Sequence, residues 1–284
     1  MIRQDGEDYE IRADRSRFVV RPSRGGIVTQ FDVGDDRAMY MDADTLRDST
    51  KNVRGGNPVL FPSPGKLADD KWSRDGKAGA MKQHGFARNL PWRVLGTIDG
   101  ASPAIALELA SSADTRAQFP WEFTLQMTYS LCSDDTLRVD QRVENKSDIA
   151  MPCGVGFHPY FTCPAADKAR SRIATSASRA FDNVTKKDVE VRPVGIDLTH
   201  GEVDLHLLDH HGNEAELVTP AGRVTVRGSA EYTHWVVWTQ PGKDFICLEP
   251  WTCPGNALNT GDRLMTVPPH TARTLWVEIS FRTR

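Results

Sequence analysis

FTLQMTYSL, residues 123–131, alternates apolar and polar side chains without a break. Phe123, Leu125, Met127, Tyr129 and Leu131 fall on one face, and Thr124, Gln126, Thr128 and Ser130 on the other. A period of two sustained over this length is the pattern of a half-buried strand; a helix would scatter the same residues around its axis. Ser133, Asp134 and Asp135 supply a turn, and TLRVDQRVEN (136–145) returns with Leu137, Val139 and Val143 on one side. An antiparallel hairpin is predicted here.

The same grammar extends in both directions. YEIRA, RFVVRP and IVTQFDV, within residues 8–33, read as a meander turning at Gly25 and Gly26. AELVTPAGRVTV (215–226) and THWVVWTQPGKDFICLE (233–249) read as further hairpins, the second turning at Pro241 and Gly242. The tail ARTLWVEISFRTR places Leu275, Val277, Ile279 and Phe281 inward. Residues 35–50 read as a surface connection, 69–80 as a mobile flap and 164–200 as polar and irregular. There is no internal repeat, no linker and almost no helical pattern. The expectation is an all-β chain, one large antiparallel β-sandwich domain over residues 1–284.

Two stretches carry chemistry. In FICLEPWTCPGNALNTG (245–261), Phe245, Cys247 and Glu249 share a face, and Pro250 is expected to end ladder pairing just after the carboxylate. Trp251 and an amide-rich loop follow. An acid or base on a rigid strand, an aromatic plate and adjacent amides make a sugar-sized site; the plainer alternative is a surface glutamate and a core tryptophan. In MPCGVGFHPYFTC (151–163), Gly154, Gly156 and His158 share one face. Two glycines beside a histidine are read as open space in front of it, so His158 faces a pocket; a core histidine is the alternative. The loop NVRGGNPVLFPSPGKL (52–67) has three prolines and three glycines, which suits either a fixed binding wall or a connector. His84, before Gly85, sits at a turn.

Composition excludes several classes. Lys and Arg total 35 against 38 Asp and Glu, a net charge of −3, too balanced for a nucleic-acid partner. No apolar run approaches the ~20 residues of a membrane span. The polar N-terminus MIRQDGEDYEIR is unlike a signal peptide, so a soluble cytoplasmic protein is expected. Five cysteines (132, 153, 163, 247, 253) form no CxxC pair and read as free thiols. Cys153, His158 and Cys163 are a poor metal set, and His206, His210 and His211 fall in an extended, polar stretch rather than on a helix, so no metal is expected. No nucleotide fingerprint is present.

Three stretches in order now resemble the aldose 1-epimerase (galactose mutarotase-like) family: NPVLFPSPGKL with HGFARNLPW, then MPCGVGFHPYF, then ICLEPWTCPGNALNTGDRL. The resemblance runs from about residue 10 to 282. It implies a sugar site on a many-stranded sandwich, with His158 as general acid, Glu249 as general base and His84 near the ring oxygen. It further implies substrate contacts from Asn57, Arg88, Trp251 and Asp204, with Asp209 as the competing aspartate. It implies no cofactor, a small-molecule sugar as partner, and a monomer or homodimer.

Anomer exchange suits these residues. One proton leaves the C1 hydroxyl, one reaches the ring oxygen, C1–C2 rotates, and the ring closes on the other face. One base and one acid suffice. A hexose 6-phosphate is an alternative substrate, with Arg54, Lys66, Lys82 and Arg88 as phosphate contacts. A non-catalytic carbohydrate-binding or regulatory protein of the same fold is another. A retaining glycosidase would need two close carboxylates, and only Glu249 is suitably placed.

Overall fold

The computed structural model describes residues 1–193 and 195–283. Two eight-stranded sheets dominate it. The first runs, in spatial order, Arg172–Ala174, Glu214–Thr219, Gly222–Gly228, Ala272–Thr283, Thr136–Asn145, Phe123–Ser133, Ala104–Ala110, Arg93–Ile98. The hairpin that set the class lies in it, with Phe123 opposite Asn145 and Leu131 opposite Leu137. The second sheet runs Lys187–Glu190, Arg179–Asp182, Val203–Leu207, His234–Thr239, Phe245–Trp251, Gly156–Phe157, Val59–Leu60, with Tyr160–Thr162 also pairing to Phe245–Trp251. A five-stranded meander of the first 37 residues adds a third sheet.

Alternation decides what is inside. Leu125, Met127 and Tyr129 from the first sheet and Trp235, Val237, Ile246 and Leu248 from the second meet in one core. Burying such side chains contributes roughly 1.5–3 kcal/mol each. Their sequence neighbours Val236, Trp238, Cys247 and Glu249 therefore face away from that core, on the other side of the second sheet. The Tyr129 hydroxyl donates to Gly26 O at 2.8 Å, which ties the meander to the sandwich.

Four expectations are corrected. Residues 69–80 are no flap: Lys71–Arg74 and Lys77–Ala80 form a hairpin. Asp75 and Gly76 make its turn with φ of 50° and 73°, and Trp72 packs against Phe119 and Trp121. Pro250 does not end its strand, which continues to Trp251. On the side of residues 156–162 the ladder is open between the Tyr160–Cys247 and Gly156–Trp251 pairs, and Pro250 falls within that opening. The described residues within 164–200 hold three short strands, whereas 35–50 is a surface connection as expected, its helix Ala43–Arg47 capped by Asp42 and burying no residue. Finally, the run 151–163 is three short strands with different partners.

Candidate active site

Register across the second sheet assembles the site. Asp204 pairs with Trp238, which pairs with Cys247, which pairs with Tyr160. One step along, His206 pairs with Val236 and Val236 with Glu249. One further step, His234 pairs with Trp251 and Trp251 with Gly156. These rows share the face turned from the core, and they floor a cavity of about 700 Å³. That is ample for a small polar ligand.

Glu249 and His158 lie at its centre. Glu249 is 1% exposed and His158 7%. His158 Nδ1 stands 3.4 Å from Glu249 Oε1, and the Trp251 indole N–H donates to Glu249 Oε2 at 3.2 Å. Tyr160 stacks on the His158 ring at 4.8 Å, and Trp238 meets it edge-on at 5.5 Å. Burial, reinforced by Asp204, pushes Glu249 well above the usual carboxylate range. Burial, with Arg88 and Arg54 nearby, brings His158 down to about 3. Both groups of the pair thus resist charge.

His84 is fixed by its backbone. Its φ is 71°, its N–H donates to Gly65 O at 2.8 Å, and its Nδ1 accepts from Gly65 N–H at 3.0 Å. An accepting Nδ1 puts the neutral ring's proton on Nε2. Burial first, then Arg88, lowers its basicity far below normal. Its ring lies 5.5 Å from both His158 and Trp251. Arg88 is deeply set: it donates to Gln83 O at 2.9 Å while its Nε has no partner, and burial lowers it to about 10.

Of the two aspartates, Asp204 lines the cavity and Asp209 does not. Asp209 is occupied by the backbone N–H groups of Ser178 and Arg179 and the Ser178 hydroxyl. Burial raises Asp204, but hydrogen bonds from His206 and Asn183 outweigh it, and the carboxyl titrates below its ordinary value. Trp251 lines the cavity as expected. Asn57 does not: it is fully buried, bridged to Val28, and outside the lining. The carbonyls of its neighbours Gly56 and Pro58 accept from the N–H groups of Tyr160 and His158, so this segment braces the site, while the Asn57 amide itself has no hydrogen-bond partner. Lys82 is outside the lining too, whereas Arg54 and Lys66 are in it.

The open space inferred from Gly154 and Gly156 is filled. A Cβ at Gly154 would lie 2.5 Å from Cys253 Sγ, and one at Gly156 2.8 Å from Trp251. His158 lines the cavity all the same, because the glycines let Pro64, Cys253 and Trp251 close in beside it. His158, Cys247 and Glu249 place one donor atom each within 4.8 Å of one another, in place of the Cys153–His158–Cys163 set considered from sequence. An ion there would have to displace protons that burial holds on Cys247 and Glu249. Sequence reasoning passed over His234 and Arg263; the alternation of THWVVW puts His234 on the face of Trp238, and that signal was available.

Comparison with known proteins follows this geometry. A family model described as aldose 1-epimerase matches residues 7–280. The solved structure of Slr1438 from Synechocystis sp. PCC 6803 is similar at 36% identity and a TM-score of 0.94, over 98% of this chain and 96% of that one. A galactose mutarotase-like protein from Clostridium acetobutylicum has the same fold at 18% identity and a TM-score of 0.82, over 98% and 95%. A protein of Escherichia coli K12 provisionally named glucose-6-phosphate 1-epimerase is 23% identical over 232 residues, 76% of this chain and 73% of that one. No helix among the described residues is long and apolar enough to cross a membrane.

Proposed function

The chain belongs to the aldose 1-epimerase family, and from that premise we propose that it interconverts the α and β anomers of a hexose, with Glu249 and His158 as the proton-transfer pair. One observation carries the reading: a buried imidazole and a buried carboxyl 3.4 Å apart on the floor of a cavity lined with polar side chains. Ring opening needs that inventory and nothing more. With the proton on His158, Glu249 takes the C1 hydroxyl proton while His158 protonates the ring oxygen. The pair then stands as a neutral carboxylic acid and a neutral imidazole, the state that burial favours. C1–C2 rotates, the protons return and the ring closes on the other face. Each group contributes roughly 10²–10⁴ in rate.

The remaining side chains bind and orient. His84 offers its Nε2–H near the ring oxygen, Asp204 accepts from sugar hydroxyls, and Trp251 supplies a flat apolar wall while holding Glu249. Asn57 supports the segment behind His158.

A phosphorylated hexose is the second reading. Arg54, Arg88 and Lys66 line the cavity, and none has a carboxylate partner among the described residues. Unpaired cations in a cavity favour an anionic substituent. Polarimetry of freshly dissolved α-D-glucose and α-D-galactose tests the first reading, and NMR anomer exchange of hexose 6-phosphates the second. Acceleration of the free sugars supports the first. Acceleration of the phosphates alone supports the second. Acceleration of neither overturns both and points to a carbohydrate-binding or regulatory role.

A further inference from the structure

Beside the proton-transfer pair, four side chains form a row, two hydrogen bonds and a closing 3.5 Å contact, that ends on Asp204. Arg263 Nη2 lies 3.3 Å from His234 Nδ1. His234 Nε2 lies 2.8 Å from His206 Nδ1, and His206 Nε2 lies 3.5 Å from Asp204 Oδ1. All four residues line the cavity.

The direction of every bond follows from its first member. A guanidinium can only donate. His234 Nδ1 must therefore accept, and its single proton sits on Nε2. That N–H points at His206 Nδ1, which must accept in turn. The proton of His206 is then on Nε2, facing the carboxylate. While the row stands, His206 Nδ1 accepts the His234 N–H, so the N–H of His206 is turned toward Asp204.

The row is braced at both ends. Arg263 Nη1 donates to Thr233 O at 2.9 Å, and the Asp262 carboxylate lies 3.3 Å from Arg263. Asn183 Nδ2 donates to Asp204 Oδ2 at 2.7 Å. Trp251 packs against both imidazoles, at 5.5 Å from His206 and 5.6 Å from His234. The Asn183 hydrogen bond on one oxygen and the His206 ring beside the other orient the Asp204 carboxylate and leave each oxygen a lone pair for the cavity.

We propose that Arg263 is a positioning residue: by locking His234 and His206 as neutral Nε2–H tautomers, it holds Asp204 as an accept-only carboxylate that receives two hydroxyls of the sugar. The sugar contact rests on the function proposed above; the lock does not. An accept-only site selects for hydroxyl donors at both positions. It acts on binding, because it lies outside the proton-transfer pair.

Two measurements test this. Long-range ¹H–¹⁵N NMR of ¹⁵N-histidine-labelled wild type at pH 7, without sugar, is expected to give the Nε2–H signature for both His206 and His234. An Nδ1–H or imidazolium signature for His206 overturns the lock. Arg263→Met is expected to release a second His206 species and raise KM about tenfold, the worth of one charge-assisted hydrogen bond, with kcat within about twofold. Arg263→Lys, which restores a donor, should recover part of the KM. The Arg263 side chain is 36% exposed, so shortening it opens no core cavity, and circular dichroism checks the fold. An unchanged tautomer in Arg263→Met, or a fall in kcat with KM unchanged, overturns the positioning role. A wild type that turns over no sugar while the tautomers are as expected sinks the substrate reading alone.

Discussion

His158 Nδ1 lies 3.4 Å from Glu249 Oε1, and the two side chains are 9% and 2% exposed. Neither group can carry a charge there without help, so their protonation is a joint property. From this the pH dependence of turnover follows. Below about 3, where His158 takes up its proton, the pair gains a second proton and has no base. Above the raised value of Glu249, the pair loses its only proton and has no acid. The expected profile of kcat/KM is a plateau through neutrality whose acid limb falls far below the ordinary histidine value near 6.5. A limb at 6 to 7 would mean that His158 titrates as a free imidazole.

His84 should separate stability from activity. Its φ of 71° suits asparagine and opposes β-branched residues. His84→Asn keeps a side-chain acceptor near Gly65 N–H and loses Nε2–H. Stability near wild type is expected, with a loss of about tenfold to hundredfold in kcat/KM. His84→Val should lose stability as well. Thermal unfolding beside steady-state kinetics distinguishes the two.

Acid should unfold the chain early. His84, His158 and His234, and less deeply His210, are held below their ordinary values chiefly by burial, so the unfolded chain binds at least three protons on acidification through 6.5 that the folded chain refuses. Glu249 works the other way: burial raises it, so the folded chain holds one proton that the unfolded chain lacks. The unfolded state gains about two net protons between pH 6.5 and 4.5. Stability should therefore fall by about 2.7 kcal/mol per pH unit at full slope as pH drops through that window. Urea unfolding at pH 5 and pH 7 measures it; equal stabilities would mean the three imidazoles titrate normally.

Gly156 makes a sharper test of the wall. A Cβ there meets Trp251 at 2.8 Å and Pro64 at 3.2 Å. Gly156→Ala is expected to cost about 1–3 kcal/mol by overpacking and to raise KM through Trp251. Gly96→Ala, where a Cβ meets nothing within 4 Å, serves as the control with stability within ~0.5 kcal/mol of wild type.

Strand parity carried much of this structure from the sequence. FTLQMTYSL named its own buried face, and FICLE put Glu249 opposite Ile246 and Leu248. The family resemblance, not parity, put Asp204 ahead of Asp209, and of the two only Asp204 lines the cavity. What parity could not supply was the neighbour. Gly154 and Gly156 were taken for an opening because Pro64, Cys253 and Trp251 come from distant segments to fill it. The Asp75–Gly76 turn was overlooked because its strands are polar, though buried Trp72 anchors them. Pro250 was read as a stop because the opening beside it depends on how residues 156–162 pair. The His234–His206 bond depends on the register between two strands distant in sequence, which no single stretch encodes.

Mutarotation by wild type and Glu249→Gln, followed side by side by polarimetry at neutral pH with circular dichroism as the fold check, tests the central claim most directly. The glutamine keeps the shape and the contact with the Trp251 indole but cannot take a proton. Wild-type acceleration that falls by roughly 10²–10⁴ in the variant is the expected result. A folded variant that turns over at the wild-type rate would contradict the assignment of Glu249.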